Sequence, residues 1–386
     1  ENAMQAKKTL LAIALGTATL GASAYETEYG NAYADVKVRY ETNDTDDATD
    51  NDAATGLITD AAVGFETLNY EGFSALVEYE IVQPLIDDYA PEKAGYDAIA
   101  DPETREWNRA QVSYKKDEFG AIVGRQRIIL DGARFVGNVG WRANEQTFDA
   151  VTLTYSKDEL SLHYSFIDQV NGILPRFDAD TTSHLLNAGY KVGTGKITAY
   201  AYLLEDDDTE NSQRDTFGLS YNGSYDMDGT KLIYKAEYAT QSTETADTNY
   251  FALEGGAVVS GVTLALGNET LGSDDGNAAF ETPLATKHKF NGWADKFLST
   301  TVSTSGDGLS DTYVKAAGAV AGVKLVGFYH TFNSVEDDVD FGNELDLLAV
   351  KKLDDTFTVG AKAAFYSAGD TGVDTTKMWA WVQAKF

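Results

Sequence analysis

Residues 34–40 read Ala-Asp-Val-Lys-Val-Arg-Tyr, so every second side chain is apolar or aromatic and those between are charged. Successive side chains of a β-strand point to opposite faces, and this period of two therefore predicts a strand with one apolar and one polar face. The same period recurs in residues 73–81, 151–155, 357–365 and 378–386. Strands of about ten residues are long enough to cross a bilayer at a tilt. The pattern indicates an all-β protein whose strands separate lipid from water.

The connections between strands support this interpretation. We predict eighteen strands, beginning near residues 32, 57, 72, 105, 119, 147, 159, 182, 195, 213, 230, 246, 259, 310, 322, 342, 356 and 377. Short turns alternate with long links, which are residues 42–56, 84–104, 129–146, 170–181 and 270–309. A transmembrane up-and-down β-barrel has this arrangement, because its periplasmic turns are short and its extracellular loops are long. The predicted fold class is therefore an antiparallel transmembrane β-barrel of about eighteen strands.

A lipid-facing sheet cannot keep a free edge, because an unpaired N–H or C=O group in hydrocarbon costs several kcal/mol. The first strand must then pair with the last. Residues 378–386 end the chain on Phe386, and this strand resembles the terminal strand by which outer-membrane proteins are recognised during assembly. Tyr40, Tyr114, Tyr155 and Tyr221 lie near predicted strand ends, where they would form interfacial girdles.

The composition narrows the classes of function. The chain has 386 residues, with 30 Lys and Arg against 61 Asp and Glu, and a net charge of −31. Such acidity argues against nucleic acid as a partner, because phosphate binding needs a basic surface. There is no cysteine, which excludes disulfides and thiolate metal sites. Aromatic residues make up 12%, too many for a disordered acidic chain.

The first 24 residues are interpreted as a leader rather than as part of the barrel. Met4 is taken as the natural start, so that residues 1–3 are a vector remnant. Lys7 and Lys8 precede an apolar run, and Ala-Ser-Ala at 22–24 fits a signal-peptidase site. An amphipathic helix is the alternative. We expect residues 1–24 to be a secretory signal peptide with its remnant, residues 25–386 to form a single barrel domain, and the protein to reach the bacterial outer membrane.

Two blocks of sequence resemble a known family. Residues 124–128 read Gly-Arg-Gln-Arg-Ile, residues 135–142 Phe-Val-Gly-Asn-Val-Gly-Trp-Arg, and residues 144–150 Asn-Glu-Gln-Thr-Phe-Asp-Ala. They look like the central signature of the alginate-export family of outer-membrane porins, and residues 282–297 are similar to a later signature of that family. The resemblance implies an eighteen-stranded barrel, in agreement with the strand count, and a lumen that is rich in arginine in members that pass polyuronate.

Cationic residues are the candidate lining of the lumen. Arg125 and Arg127 are two residues apart and so are expected to share one face, which should be the lumenal face because arginine in the membrane midplane costs about 2–4 kcal/mol. The loop after them could fold inward as a constriction. The full candidate set of pore-lining or constriction residues is Arg39, Arg109, Arg125, Arg127, Arg134, Arg142, Lys231 and Lys235. These residues either select anions or simply pair with carboxylates on neighbouring strands, and the sequence leaves both options open.

No motif supports catalysis, a metal or a cofactor. The four histidines lie in strand patterns or in the second signature block, and no Walker, G-x-S-x-G or H-E-x-x-H string occurs. Acidic runs such as Glu205–Asp208 are interpreted as solvated loops, with weak divalent-cation binding as the alternative. An acidic mouth would also repel polyanions.

The predicted function is a porin with a water-filled channel for small hydrophilic solutes, and an anionic oligosaccharide or organic acid is one option. A non-selective diffusion porin is the main alternative, and a barrel enzyme or adhesion platform is a third. The expected partners are outer-membrane lipid, lipopolysaccharide and a small solute. We expect the protein to be a monomer and to have no nucleic-acid partner.

Overall fold

The structure, a computed structural model, describes residues 25–46 and 51–386. Within those residues, eighteen antiparallel strands close into a barrel. They are β1 (Gly30–Thr45), β2 (Ala54–Thr67), β3 (Phe73–Asp88), β4 (Thr104–Lys116), β5 (Phe119–Gln126), β6 (Thr147–Lys157), β7 (Leu160–Asn171), β8 (Ala179–Val192), β9 (Gly195–Leu204), β10 (Arg214–Met227), β11 (Thr230–Thr243), β12 (Asp247–Val259), β13 (Val262–Leu271), β14 (Leu309–Val320), β15 (Val323–Asn333), β16 (Asp340–Lys352), β17 (Phe357–Ser367) and β18 (Thr375–Lys385).

The predicted fold class is confirmed, and the strand positions agree closely with the period-two analysis. The largest differences in strand starts are three residues, at Ala54, Ala179 and Val262 against predicted starts near 57, 182 and 259. The predicted leader, residues 1–24, lies outside the described residues. So do residues 47–50, which belong to the predicted long link at residues 42–56.

Alternation along each strand separates an outer apolar face from an inner polar face. On β13, Leu264 and Leu266 are 58% and 60% exposed, whereas Ala265 and Glu269 on the other face are buried. An outer belt of exposed leucine and valine is stable only against lipid, because water would leave a large apolar surface uncovered. The outer face therefore meets the membrane, and the inner face meets the lumen.

The barrel closes between its first and last strands. β1 pairs with β18 from Asp35 opposite Lys385 to Thr45 opposite Thr375. The backbone N–H of Phe386 donates to the carbonyl of Ala34 at 2.8 Å. Closure of this seam satisfies backbone groups that would otherwise face hydrocarbon.

Short elements lie in the long loops. They are two-residue strand segments at Tyr25–Glu26, Ser273–Asp274 and Ala278–Ala279, 3-10 turns at Asp131–Ala133, Pro175–Phe177 and Lys287–Lys289, and helix α1 at Thr300–Ser303. No helix in the described part of the chain is both long and apolar enough to span a membrane.

Aromatic pairs lie on the outer face beside the short turns. The rings of Phe73 and Tyr114 are 4.7 Å apart, and those of Phe119 and Tyr155 are 4.9 Å apart. Amphipathic rings are favoured at the level of lipid headgroups. Tyr114 and Tyr155 were both predicted as girdle residues.

Candidate functional site

The loop between β5 and β6, residues 127–146, crosses the lumen; we call it the constriction loop. Its Arg142 contacts Glu41 on β1 at 3.0 Å, and its Arg134 contacts Glu269 on β13 at 2.6 Å. Both carboxylates lie on inner faces. β1 and β13 are far from β5 and β6 around the barrel, so a single loop can reach both of them only through the lumen. The loop therefore extends into the lumen; that it forms a constriction stays a prediction.

A second loop, residues 272–308 between β13 and β14, is bonded to the first; we call it the partner loop. The backbone N–H of Gly137 donates to the carbonyl of Leu284 at 2.8 Å, and the N–H of Thr286 donates to the carbonyl of Ala133 at 3.0 Å. Gln146 Nε2 also donates to the Leu284 carbonyl at 3.1 Å. Apolar side chains of both loops pack in one buried cluster with wall residues, among them Phe135, Val136, Leu284, Phe297 and Tyr250. The two loops thus form one body inside the barrel.

A buried group of charges fixes this body to the closure seam; we call Arg39, Glu41, Asp101, Arg142 and Asp295 the seam cluster. Arg39 forms ion pairs with Asp101 and Glu41, and Arg142 contacts Asp101 at 3.3 Å and Asp295 at 3.2 Å. Burial opposes ionisation of Asp101, but the two guanidinium groups outweigh burial and lower its pKa. The cluster joins β1, the constriction loop, the partner loop and the loop of residues 89–103, which carries Asp101.

His288 of the partner loop lies next to this cluster. Its Nδ1 is 2.6 Å from Asp295 Oδ1, and its Nε2 is 2.6 Å from the Nζ of Lys362 on β17. An ammonium group only donates, so Nε2 accepts and Nδ1 carries the proton that is donated to Asp295. Burial lowers the pKa of His288 to about 3, so the ring is neutral at physiological pH. Asp295 is buried as well, but His288, Lys377 and Arg142 hold its pKa well below the ordinary value.

All six predicted arginines have a carboxylate partner. In addition to Arg39, Arg134 and Arg142, Arg109 binds Glu78 at 2.7 Å, and Arg127 binds Glu145 and Glu78. Arg125 binds Asp149 at 2.7 Å instead. Of these contacts, that of Arg109 with Glu78 joins neighbouring strands, whereas Arg134 and Arg142 reach carboxylates in distant parts of the chain.

Arg125 and Arg127 do not share a carboxylate set, contrary to the expectation that they line one face together. β5 ends at Gln126, so the period of two does not extend to Arg127. Register places Arg125 opposite Ala110 and Asp149, and alternation gives it the outer-face orientation of Val123, which is 54% exposed. Arg125, near the end of β5, is thus separated from the arginines that face the lumen.

The two predicted lysines, Lys231 and Lys235, differ in whether they form an ion pair. Lys235 lies on the inner face of β11 and binds Glu237 at 2.8 Å. Lys231, on the same face nearer the turn, has no carboxylate within ion-pair distance among the described residues.

Four further cations lie on the partner loop or on the inner face of the wall, and they were not predicted as lining residues. Lys287, Lys289, Lys315 and Arg214 have no ion pair with a carboxylate among the described residues. Lys289 donates to the carbonyl of Gly132 at 2.7 Å, and Arg214 donates to Gln241 at 2.9 Å. The period of two on β14 could have revealed Lys315, because it shares a face with Asp311 and Tyr313. The positions of the two loop lysines follow no period.

Within residues 25–46 and 51–386, no group of three or more His, Asp or Glu side chains could hold a metal ion. The wall histidine His330 binds Asp311 at 2.9 Å, as expected for a residue that satisfies a neighbour on the wall. What the site offers chemically is a narrowed aqueous passage with paired arginines and a separate set of unpaired cations.

Comparison with known proteins agrees with this geometry. The structure resembles Pseudomonas aeruginosa OccK9 (OpdG) with a TM-score of 0.75 at 12% sequence identity, covering 94% of this chain and 100% of that one. It resembles Acinetobacter baumannii OccAB4 with a TM-score of 0.72 at 13% identity, covering 94% and 98%. A third similar structure is Pseudomonas aeruginosa OpdK with vanillate, with a TM-score of 0.69 at 11% identity, covering 92% and 98%. No curated protein matches the chain.

These likenesses show the shared fold. The family model for alginate export matches residues 29–269, more than half of the chain. Together with the closed barrel, this match means that the chain belongs to the alginate-export family of outer-membrane porins.

Proposed function

We propose that this porin conducts small hydrophilic solutes and prefers anionic ones, and that unpaired cations rather than the six paired arginines provide the preference. The observation that carries the proposal is a group of cations that have no carboxylate partner among the described residues: Lys231, Lys287, Lys289, Lys315 and Arg214. A charge that is already paired contributes little field to the passage, whereas an unpaired charge attracts counter-ions.

The positions of the two loop lysines support a common cationic region. Burial chiefly lowers the pKa of Lys289, and the positive charges of Lys235 and Lys315 lower it further. Burial also lowers the pKa of Lys287, where the repulsion of Arg134 and Arg214 adds to it against the attraction of Glu281. The pKa of a lysine responds to positive charges near it, so these shifts support a common cationic region.

The solute is expected to be small. The constriction loop and the partner loop both extend into the lumen, and acidic runs such as Glu205–Asp208 in the outer loops repel long polyanions. OpdK, a protein of the same fold, was solved with vanillate, which carries a single carboxylate. A small organic acid therefore suits this passage better than a polyuronate.

Reversal potentials in a planar bilayer test the proposal. In a KCl gradient the wild-type channel is expected to favour chloride, and Lys289→Gln and Lys315→Gln are each expected to lower the anion preference. The expected change is about twofold per charge, because one charge at about 10 Å in water contributes about 0.4 kcal/mol.

The matched control is Lys157→Gln, an exposed lysine paired with Glu118 at a short turn, which should leave the reversal potential unchanged. A cation-selective wild type would overturn the preference for anions. A reversal potential near zero in every variant would support the non-selective diffusion porin instead.

A further inference from the structure

The side chain of Lys362 is enclosed by tryptophan rings. It extends inward from β17 and is only 7% exposed. Its Nζ lies 3.9 Å from the ring centroid of Trp293, 4.1 Å from that of Trp141 and 5.2 Å from that of Trp379. A cluster of aromatic rings around one ammonium group is the arrangement by which proteins recognise alkylammonium ligands.

No carboxylate of the described residues lies within ion-pair distance of Lys362. Its closest polar contact is His288 Nε2, at 2.6 Å, and His288 itself stacks on Trp141 with the ring planes 9° apart. The charge is thus stabilised by ring faces and by one imidazole nitrogen. A lysine that served only to neutralise the wall would instead lie against a carboxylate.

The three rings come from three different parts of the fold. Trp141 belongs to the constriction loop, Trp293 to the partner loop and Trp379 to β18, next to the closure seam. A single ammonium group from the wall therefore contacts both inward loops at once. Trp141 also lies 5.6 Å from Trp381, edge to face, and it offers its backbone carbonyl to Arg39 at 2.6 Å.

We propose that Lys362 is the positioning residue of the constriction: it acts as a tethered ligand in an alkylammonium-binding cage of Trp141, Trp293 and Trp379, and its occupancy of that cage holds the constriction loop against the wall. The cage would accept a free primary ammonium ion once the tether is removed. This inference concerns the width of the passage, and it holds whichever ion the channel prefers.

Chemical rescue tests the proposal. Lys362→Ala is expected to shift the docking equilibrium of the loop by about 30-fold, the equivalent of desolvated cation–π contacts, and so to raise single-channel conductance and open-channel noise. Ethylammonium chloride should restore the wild-type conductance, whereas sodium chloride at the same concentration should not. Ethylammonium binding to the variant should also change the tryptophan fluorescence, because four of the five tryptophans lie at or beside the cage.

Lys362→Met keeps most of the length of the side chain without its charge, and it should show the same gain of conductance if the alanine variant does not fold. The exposed Lys324 on β15, two strands from β17, gives the matched control, and Lys324→Ala should behave as wild type with and without ethylammonium. Folding of each variant is checked by the change in electrophoretic mobility that barrels show on heating.

Two results would overturn the proposal. One is wild-type conductance in Lys362→Met, which would mean that the ammonium group does not position the loop. The other is a wider channel in Lys362→Ala that ethylammonium neither narrows nor binds, which would mean that the rings do not form an ammonium site.

Discussion

Replacing Arg142 with leucine is expected to destabilise the docked constriction loop by about 3–5 kcal/mol, the usual cost of removing one partner from a buried ion cluster. Arg142 contacts Glu41, Asp101 and Asp295, and all four side chains are almost fully buried. Leucine fills part of the volume but leaves the carboxylates short of a cation in a poorly solvated place. The loop should then leave the wall, and the channel should become wider.

Single-channel conductance and the free energy of unfolding in detergent both report on Arg142→Leu. We expect a higher, noisier conductance together with a lower unfolding midpoint. Arg125→Leu is the matched control, because Arg125 and Asp149 are 26% and 30% exposed at the side chain and such pairs contribute less than about 1 kcal/mol.

Adding Asp101→Asn to Arg142→Leu should recover part of the lost stability, since Glu41 and Asp101 would otherwise share the single guanidinium of Arg39. If Arg142→Leu conducted and unfolded as the Arg125 control does, the seam cluster would not hold the loop.

The barrel could be predicted from the sequence because its rule is local. A period of two fixes which face each side chain takes, and the alternation of short and long links fixes which end of the barrel each link occupies. Local irregularities in strand pairing could not be predicted by this rule. A register shift beside Glu78 and Tyr79 brings the adjacent residues Asn108 and Arg109 to Glu78, although alternation would separate them.

The partners of the lumenal charges could not be predicted, because they come from distant parts of the chain. Arg142 and Asp295 are 153 residues apart, and Arg134 and Glu269 are 135 apart. Their contacts depend on how two long loops fold inside the barrel, which no strand period describes. The sequence therefore supplied the arginines as candidates but could not show whether they were paired.

The tryptophan cage shows the same limit more clearly. Lys362 lies in an alternating strand, where its inward position was predictable. Trp141 and Trp293 lie in the two blocks that resemble family signatures. Nothing in the strand pattern connects these three residues, since the connection is made by loop docking. The resemblance of the two blocks to family signatures did not reveal that both loops contact Lys362 on the wall.

His288→Gln is expected to reduce the loss of stability that the protein suffers between pH 6.5 and 4.5. The folded protein keeps His288 neutral with a pKa of about 3, whereas an exposed histidine titrates near 6.5. Between these values the unfolded chain binds a proton that the folded protein does not bind, so the free energy of unfolding falls as pH falls. At about 1.4 kcal/mol per pH unit, this loss reaches about 3 kcal/mol over the stated interval.

The interval from pH 6.5 to 4.5 distinguishes the effect of His288 on stability from that of the acidic residues of the seam cluster. Asp101 and Asp295 have lowered pKa values, so their contribution is present above the ordinary carboxyl pKa and is lost as pH falls below it. An aspartate in the unfolded chain titrates near 3.9, and the acidic contribution therefore begins mainly below this interval.

Glutamine suits the site because its amide can donate to Asp295 and its carbonyl can accept from Lys362, which are the two roles of the neutral imidazole. Equilibrium unfolding in detergent, followed by tryptophan fluorescence at a series of pH values, gives the slope for wild type and variant. His184→Gln, on the outer face of β8 beside Tyr164, is the control that should keep the wild-type slope. An unchanged slope in His288→Gln would show that His288 does not couple protonation to the free energy of unfolding.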